Sequence, residues 1–202
     1  MLLRSLIILA LSLPAWADDT EQLHQLLQDT EQLAASFSQQ QFDETGQLID
    51  ASSGDMALKK PNLVRWHIAD PFEQLLLGDG DWLWQYDIEL EQVVRRPYPE
   101  DTSQTPLLVF TESLESLRVN YRVARNDEQC FVLSPSDASS LFTSMTLCFE
   151  DGQLGAFSLL DGFGQLTKVS LYDAQATALT AQDFAFDLPS EAELIIDDGN
   201  VR

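Results

Sequence analysis

Three runs decide the fold: Leu63-Val64-Arg65-Trp66-His67-Ile68, Glu73-Gln74-Leu75-Leu76-Leu77 and Trp82-Leu83-Trp84-Gln85-Tyr86. Each is short, rich in aliphatic and aromatic residues, and bounded by Pro, Gly or Asp, the marks of β-strands joined by tight turns. Val64, Trp66 and Ile68 share one face of an extended chain, and so do Trp82, Trp84 and Tyr86. Leu75-Leu76-Leu77 is apolar on both faces. A sheet with one wet side alternates more cleanly than this. The pattern therefore predicts a sheet covered by helix on one side and curved as in a barrel, with an apolar interior large enough for a ligand. An ordinary sandwich core would read the same way.

The period of two extends outward from these runs, from Ser38 almost to the end. Further strands are expected at 38–43, 46–49, 55–60, 92–95, 119–125, 130–133, 143–150, 154–160, 166–172 and 193–196. Turn signals stand at Ser53-Gly54-Asp55, Gly78-Asp79-Gly80-Asp81, Asp151-Gly152 and Asp161-Gly162-Phe163-Gly164. Strands spaced by about 8–12 residues without βαβ alternation predict antiparallel meanders. Upstream, 18–37 reads as one helix. Leu23, Leu26, Leu27, Leu33, Ala34 and Phe37 lie near one face, and Asp19 with Gln22 forms a capping pair. Thr105–Leu117 interrupts the strands as one or two short helices with an apolar face.

The chain has 202 residues, 33 Asp+Glu against 11 Lys+Arg, and a formal charge of −22. It lacks the cationic footprint that displaces counterions from nucleic acid, so that class of partner is excluded. At 45% hydrophobic and 9% aromatic it is too apolar for a solvated acidic tail.

Met1–Ala17 has a positive Arg4, an apolar run from Leu6 to Leu13, and Ala15-Trp16-Ala17 for cleavage. It reads as a secretory signal, too short to span a bilayer. Two domains of use follow: residues 1–17 as signal, and 18–202 as one mature domain of 185 residues. That domain carries 33 acidic and 10 basic residues, a charge of −23. The expected location is a bacterial periplasm, where cysteines can oxidise.

Cys130 and Cys148 are the two cysteines. The hairpin register that sets them opposite each other also sets Phe131 opposite Leu147 and Leu133 opposite Met145. The hydrophobic pattern and the cysteines thus support the same pairing. A disulfide here stabilises by roughly 3 kcal/mol in the chain-entropy model. No Cys-x-x-Cys redox motif occurs. Catalytic signatures are equally absent: no Gly-x-Ser-x-Gly elbow, no Walker loop, and His24 and His67 without partners at metal-ligand spacing. The reading is a non-enzyme without metal or cofactor. Asp79, Asp81 and Asp87 do not match a calcium loop and read as turn and strand-end residues.

Lys59-Lys60-Pro61-Asn62-Leu63-Val64-Arg65-Trp66, then Asp70-Pro71, Leu77–Asp87, Leu90–Val93, Thr105-Pro106 and Gly164–Thr167, in that order, resemble the LolA family of periplasmic outer-membrane lipoprotein carriers. Ala35–Gln39 and Phe184–Pro189 extend the resemblance over the whole mature chain. It implies a mainly β (α+β) fold, an incomplete antiparallel β-barrel with a lid of α-helices enclosing an apolar cavity. It implies a soluble, monomeric chaperone that shields the acyl chains of lipoproteins. The donor would be a LolCDE-type inner-membrane ABC transporter and the acceptor a LolB-type outer-membrane receptor. A related carrier or sensor of other lipids is the alternative. On this reading Val64, Trp66, Leu75, Leu77, Trp82 and Trp84 are candidates for the inner wall, and Leu107, Leu108 and Phe110 for the inner side of the lid. The family usually has Arg before Pro-Asn, at a position tied to ligand release. Here Lys60 takes that place, keeping the charge but losing the planar guanidinium.

Overall fold

A computed structural model describes residues 18–98, 106–175 and 178–197; the expected signal, 1–17, lies outside them. The chain opens with helix α1 (Asp19–Asp29), capped by Asp18, whose carboxylate accepts from the Glu21 N–H at 2.7 Å. The cap is one residue earlier than the sequence pattern suggested. Six strands follow: β1 (Gln32–Phe42), β2 (Leu48–Lys59), β3 (Leu63–Asp70), β4 (Gln74–Gly78), β5 (Trp82–Asp87) and β6 (Gln92–Pro97). A 3-10 turn at Pro106–Thr111 and helix α2 (Leu114–Asn120) precede β7 (Tyr121–Arg125), β8 (Phe131–Pro135), β9 (Phe142–Glu150), β10 (Gln153–Asp161) and β11 (Leu166–Gln175). A second 3-10 turn, Ala181–Phe184, and β12 (Glu193–Ile196) complete the order.

The twelve strands form one sheet, β12-β6-β5-β4-β3-β2-β1-β11-β10-β9-β8-β7. It is antiparallel except for β12, which runs parallel to β6. The sheet is open, with β12 and β7 as unjoined edges. It is not flat. β3 and β10 stand four places apart, about 19 Å on a flat sheet. Yet the rings of Trp66 and Phe157 lie 6.0 Å apart.

Two expectations are corrected. The single helix over 18–37 is a helix and a strand. After Asp29 the burial alternates, with Leu33, Ala35 and Phe37 buried. β1 lies between β2 and β11, and the backbone bonds of two neighbours outweigh the helix propensity of a Gln/Ala/Leu stretch. Ser53-Gly54-Asp55 is likewise not a turn but the middle of β2. A Cβ on Gly54 would stand 1.8 Å from the His67 carbonyl oxygen of β3, so glycine is there to let two strands approach, at a point where their register shifts.

The sheet is covered on both faces. α1, α2 and the Pro106–Thr111 turn lie on one, where Leu23, Leu27, Val109, Phe110 and Leu117 join Leu33, Phe37, Met56, Leu58, Trp66, Met145 and Leu147 in one core. On the other face lies the segment from Leu179 to Phe186. Phe184 there is buried, and Phe186 stacks on Trp84 at 4.7 Å. This double cover explains strands that are apolar on both sides. β8 and β9 pair Phe131 with Leu147 and Leu133 with Met145, and Cys130 is joined to Cys148 by a disulfide with Cα atoms 4.4 Å apart.

Candidate functional site

The helix-covered face is the candidate site, and cross-strand register fixes which residues face it. Val64 pairs with Leu58 and Gly78, and Trp66 with Met56 and Leu76. Directly paired residues point the same way. Trp66 stacks on Phe37 with ring centroids 3.8 Å apart and meets Phe157 edge-on, and Phe110 meets the same Phe157 at 5.5 Å. Leu108 packs with Val64 and Leu83 in a smaller cluster. Four expected residues therefore meet in two groups: Val64 with Leu108, and Trp66 with Phe110 through Phe157. The side chain of Leu107 lies outside the described ones.

The other four wall candidates lie on the opposite face. Leu75 pairs with His67 and Tyr86, and Leu77 with Arg65 and Trp84. Trp82 pairs with Pro97 and Trp84 with Arg95. These positions alternate with Trp66 and Leu76, so the strand period turns them toward the C-terminal segment. There Arg95 sits over the Trp82 ring at 4.2 Å, and Trp84 donates its indole N–H to Asp79 at 2.8 Å. Leu83, not singled out from the sequence, faces the lid instead. A hairpin closed by Asp79-Gly80-Asp81 that pairs Gly78 with Leu83 was the signal for it.

Among the described residues the space under the lid is narrow. The apolar void lined by Leu27, Leu33, Leu58, Phe110, Phe149 and Leu154 measures about 10 Å³, no more than a single water's worth. Among the described residues no roomy cavity is seen beneath the lid; aromatic side chains from both layers, Trp66, Phe110 and Phe157, meet there instead. A larger groove of about 550 Å³ lies on the opposite face, but Asp55, Arg65, Asp173 and Asp183 line it together with Ala34 and Leu179, so it is wet rather than apolar.

Lys60 lies in the β2–β3 turn, between the sheet and the lid. Its ammonium donates to the carbonyl of Leu27 in the last turn of α1, and its backbone N–H donates to the backbone carbonyl of Glu31 at 3.0 Å. That helix end carries no basic residue of its own, so Lys60 supplies the cation that a helix C-terminus favours. Burial pushes the ammonium below its ordinary pKa, while Glu31 and Asp29 pull it back up. The neighbouring turn is tied in as well: Asn62 donates to the Gly80 carbonyl at 2.9 Å. Asp79 accepts from the N–H groups of Asp81 and Trp82, a turn role as expected. Arg65 points to the other face, where it pairs with Asp55.

Beside that pair is a feature the sequence did not single out. His67 lies between Asp55 at 3.0 Å and Glu73 at 2.9 Å. Burial would lower its pKa, but the two carboxylate hydrogen bonds outweigh it and raise the pKa above the ordinary histidine value. Among the described residues no group of three or more His, Cys, Asp or Glu is placed to hold a metal ion. No described helix is long and apolar enough to cross a membrane.

Residues 28–187 match the family model described as outer membrane lipoprotein carrier protein LolA. The outer-membrane lipoprotein carrier protein of Azotobacter vinelandii is 36% identical over 201 residues, covering 96% of this chain and 97% of that one. Its counterpart in Pseudomonas paraeruginosa is 35% identical, covering 96% and 98%. Among solved structures, a LolA superfamily protein from Nitrosomonas europaea superposes with a TM-score of 0.52 at 11% identity, over 84% of this chain and 99% of that one. An uncharacterized conserved protein from Thermus thermophilus does so with a TM-score of 0.54 at 14% identity, over 87% and 96%. These two likenesses establish the fold alone.

Proposed function

The chain belongs to the LolA family of outer-membrane lipoprotein carrier proteins, and we propose from this that it carries acylated lipoproteins across the periplasm as a monomer. It is a transport protein, as its relatives' name says, and not an enzyme. Residues 1–17 serve as the export signal and 18–202 as the carrier domain. It receives cargo from a LolCDE-type inner-membrane ABC transporter and passes it to a LolB-type outer-membrane receptor.

The observation that supports this best is the apolar interface between lid and sheet. An acyl chain of roughly 15 methylenes is worth about 12 kcal/mol between water and hydrocarbon, so it does not cross water uncovered. Val64, Trp66 and Leu83 on the sheet face Leu108 and Phe110 on the lid, and lifting the lid uncovers both apolar faces. Acyl chains then replace the lid against the sheet. Lys60 is the latch: one side chain, bonded to one helix carbonyl, joins the moving layer to the fixed one.

The test is incubation of the purified chain with a triacylated lipoprotein and, separately, with free phospholipid or fatty acid. A soluble one-to-one complex with the lipoprotein is expected. Binding of free lipid alone refutes the carrier reading.

A further inference from the structure

Among the described residues two buried side-chain polar atoms have no hydrogen-bond partner, Arg95 Nε and Tyr98 Oη. The first has a covering aromatic face: the Arg95 guanidinium lies over the Trp82 ring on the outer side of the sheet, a cation–π contact. The second lies on the side of the lid. Tyr98 directly follows β6, and its N–H donates to the Asp81 carbonyl at 3.0 Å, beside the β4–β5 turn. Its ring packs against the cluster of Val64, Leu83 and Leu108.

Gly78 shows that the ring is fitted there. It pairs with Val64 and with Leu83, so a side chain at 78 would point to the lid. A Cβ would stand 2.8 Å from Tyr98 Cε2 and 2.9 Å from Val64 Cγ1. The φ of Gly78 is not positive, so what the glycine supplies is room for the tyrosine ring. A phenylalanine ring would fill that room equally well. The hydroxyl therefore adds nothing to the closed form, because a donor withdrawn from water without an acceptor is destabilising. Burial also pushes its pKa well above the ordinary tyrosine value, so it stays protonated and remains a donor. Its packing neighbours are aliphatic, and this selects the complement: a neutral hydrogen-bond acceptor on an otherwise apolar ligand.

We propose that Tyr98 is the polar contact of the acyl site: its hydroxyl donates to the ester or amide carbonyl at the head of an acyl chain, and so selects acyl ligands over plain alkyl ones. The inference rests on the reading of the lid–sheet interface as the place where acyl chains lie. Lifting the lid takes Leu108 away from the ring and opens an approach to the hydroxyl. A carbonyl held here sets the start of the chain beside Val64. Trp66, two residues further along β3 on the same face, is the next apolar surface for its tail.

The test compares two lipids that differ only in the carbonyl, palmitoyl-lysophosphatidylcholine and its hexadecyl ether counterpart. Each is titrated by calorimetry, below its critical micelle concentration, into the mature chain and into Tyr98→Phe. Wild type is expected to bind the ester about tenfold more tightly than the ether. In Tyr98→Phe that preference is expected to vanish or reverse, since the carbonyl is then buried without a donor, while affinity for the ether stays within about twofold of wild type. The empty Tyr98→Phe protein is expected to unfold at a urea midpoint no lower than wild type; a lower midpoint would show that the hydroxyl is bonded in the closed form, and overturns the proposal. An ester preference that survives in Tyr98→Phe overturns it too, as does a wild-type chain that binds both lipids alike or neither. A triacylated lipopeptide is titrated into the same samples. Preference for the ester lipid with no binding of the lipopeptide fails the carrier reading and not Tyr98. Binding of the lipopeptide with ester and ether lipids bound alike fails Tyr98 and not the carrier reading.

Discussion

Replacing Lys60 with Met keeps the aliphatic stem and removes the donor to the Leu27 carbonyl. A hydrogen bond from a charged group contributes about 1.5–3 kcal/mol, and a cation at a helix C-terminus adds about 0.3–1 kcal/mol. The ammonium is only partly buried, which argues for the lower part of that range, about 2 kcal/mol. If the bond is a latch, the loss falls on one opening, that of α1 from the sheet. Two kcal/mol is about a 30-fold increase in the open population. Hydrogen exchange reads this directly. Amides in α1 are expected to exchange about 30-fold faster in Lys60→Met, with those of β1 and β2 unchanged. Lys60→Arg is expected to restore protection. If helix and strand amides accelerate together, Lys60 stabilises the whole fold and the latch argument fails. Unchanged exchange in α1 would show that the bond holds nothing.

Gly54→Ala is expected to destabilise by at least about 3 kcal/mol, because its Cβ meets a backbone oxygen that no side-chain rotation can relieve; a urea midpoint near wild type would mean that β2 and β3 part easily here. The Cys130→Ser/Cys148→Ser pair, with a sequence separation of 18, is expected to cost about 3 kcal/mol by urea unfolding, and a loss under 1 kcal/mol would mean that the reduced unfolded chain already holds the hairpin. His67 has a raised folded pKa, so its stabilisation is full below the unfolded value and is lost as pH rises through the folded one. The stability difference between wild type and His67→Gln is therefore expected to shrink from pH 5.5 to pH 8, and a difference that grows would reverse the assignment of charge.

The β8–β9 register was legible because two independent constraints, the cysteines and the Phe131/Leu133/Met145/Leu147 alternation, select the same pairing. The end of the first helix was not. Over 32–37 a helical reading with Leu33, Ala34 and Phe37 and a strand reading with Leu33, Ala35 and Phe37 fit about equally. The decision belongs to β2 and β11, which are distant in sequence. The lid residues Leu108 and Phe110 were legible from their apolar run beside a proline. Four of the six inner-wall candidates were misplaced because both faces of β4 and β5 are apolar. Period two gives two faces but does not name them. Only the hairpin register, with Trp66 opposite Leu76 and Leu77 opposite Trp84, assigns each to the lid or to the tail. Phe184 and Phe186, which cover the outer face, sit in a stretch without strand or helix periodicity and left no packing signal.

A narrow interior is no argument against a carrier; it sets the energy of loading. Six lid side chains, Leu23, Leu27, Leu108, Val109, Phe110 and Leu117, are buried when the lid is closed. At about 1.5–3 kcal/mol each they hold the lid with roughly 9–18 kcal/mol. One acyl chain entering from water brings about 12 kcal/mol, a term of the same size. Lid and cargo therefore compete for one apolar surface, and the lid contacts offset about one acyl chain's worth of transfer energy. A permanently open cavity would gain the full transfer energy of each chain and retain its cargo. With the lid as competitor, part of that energy offsets the lost lid contacts. Terms such as the Lys60 bond add to the lid's side of that balance. An acyl chain already in a bilayer gains nothing by moving to the sheet, so under the proposed function loading needs an energy source and delivery into a second bilayer does not.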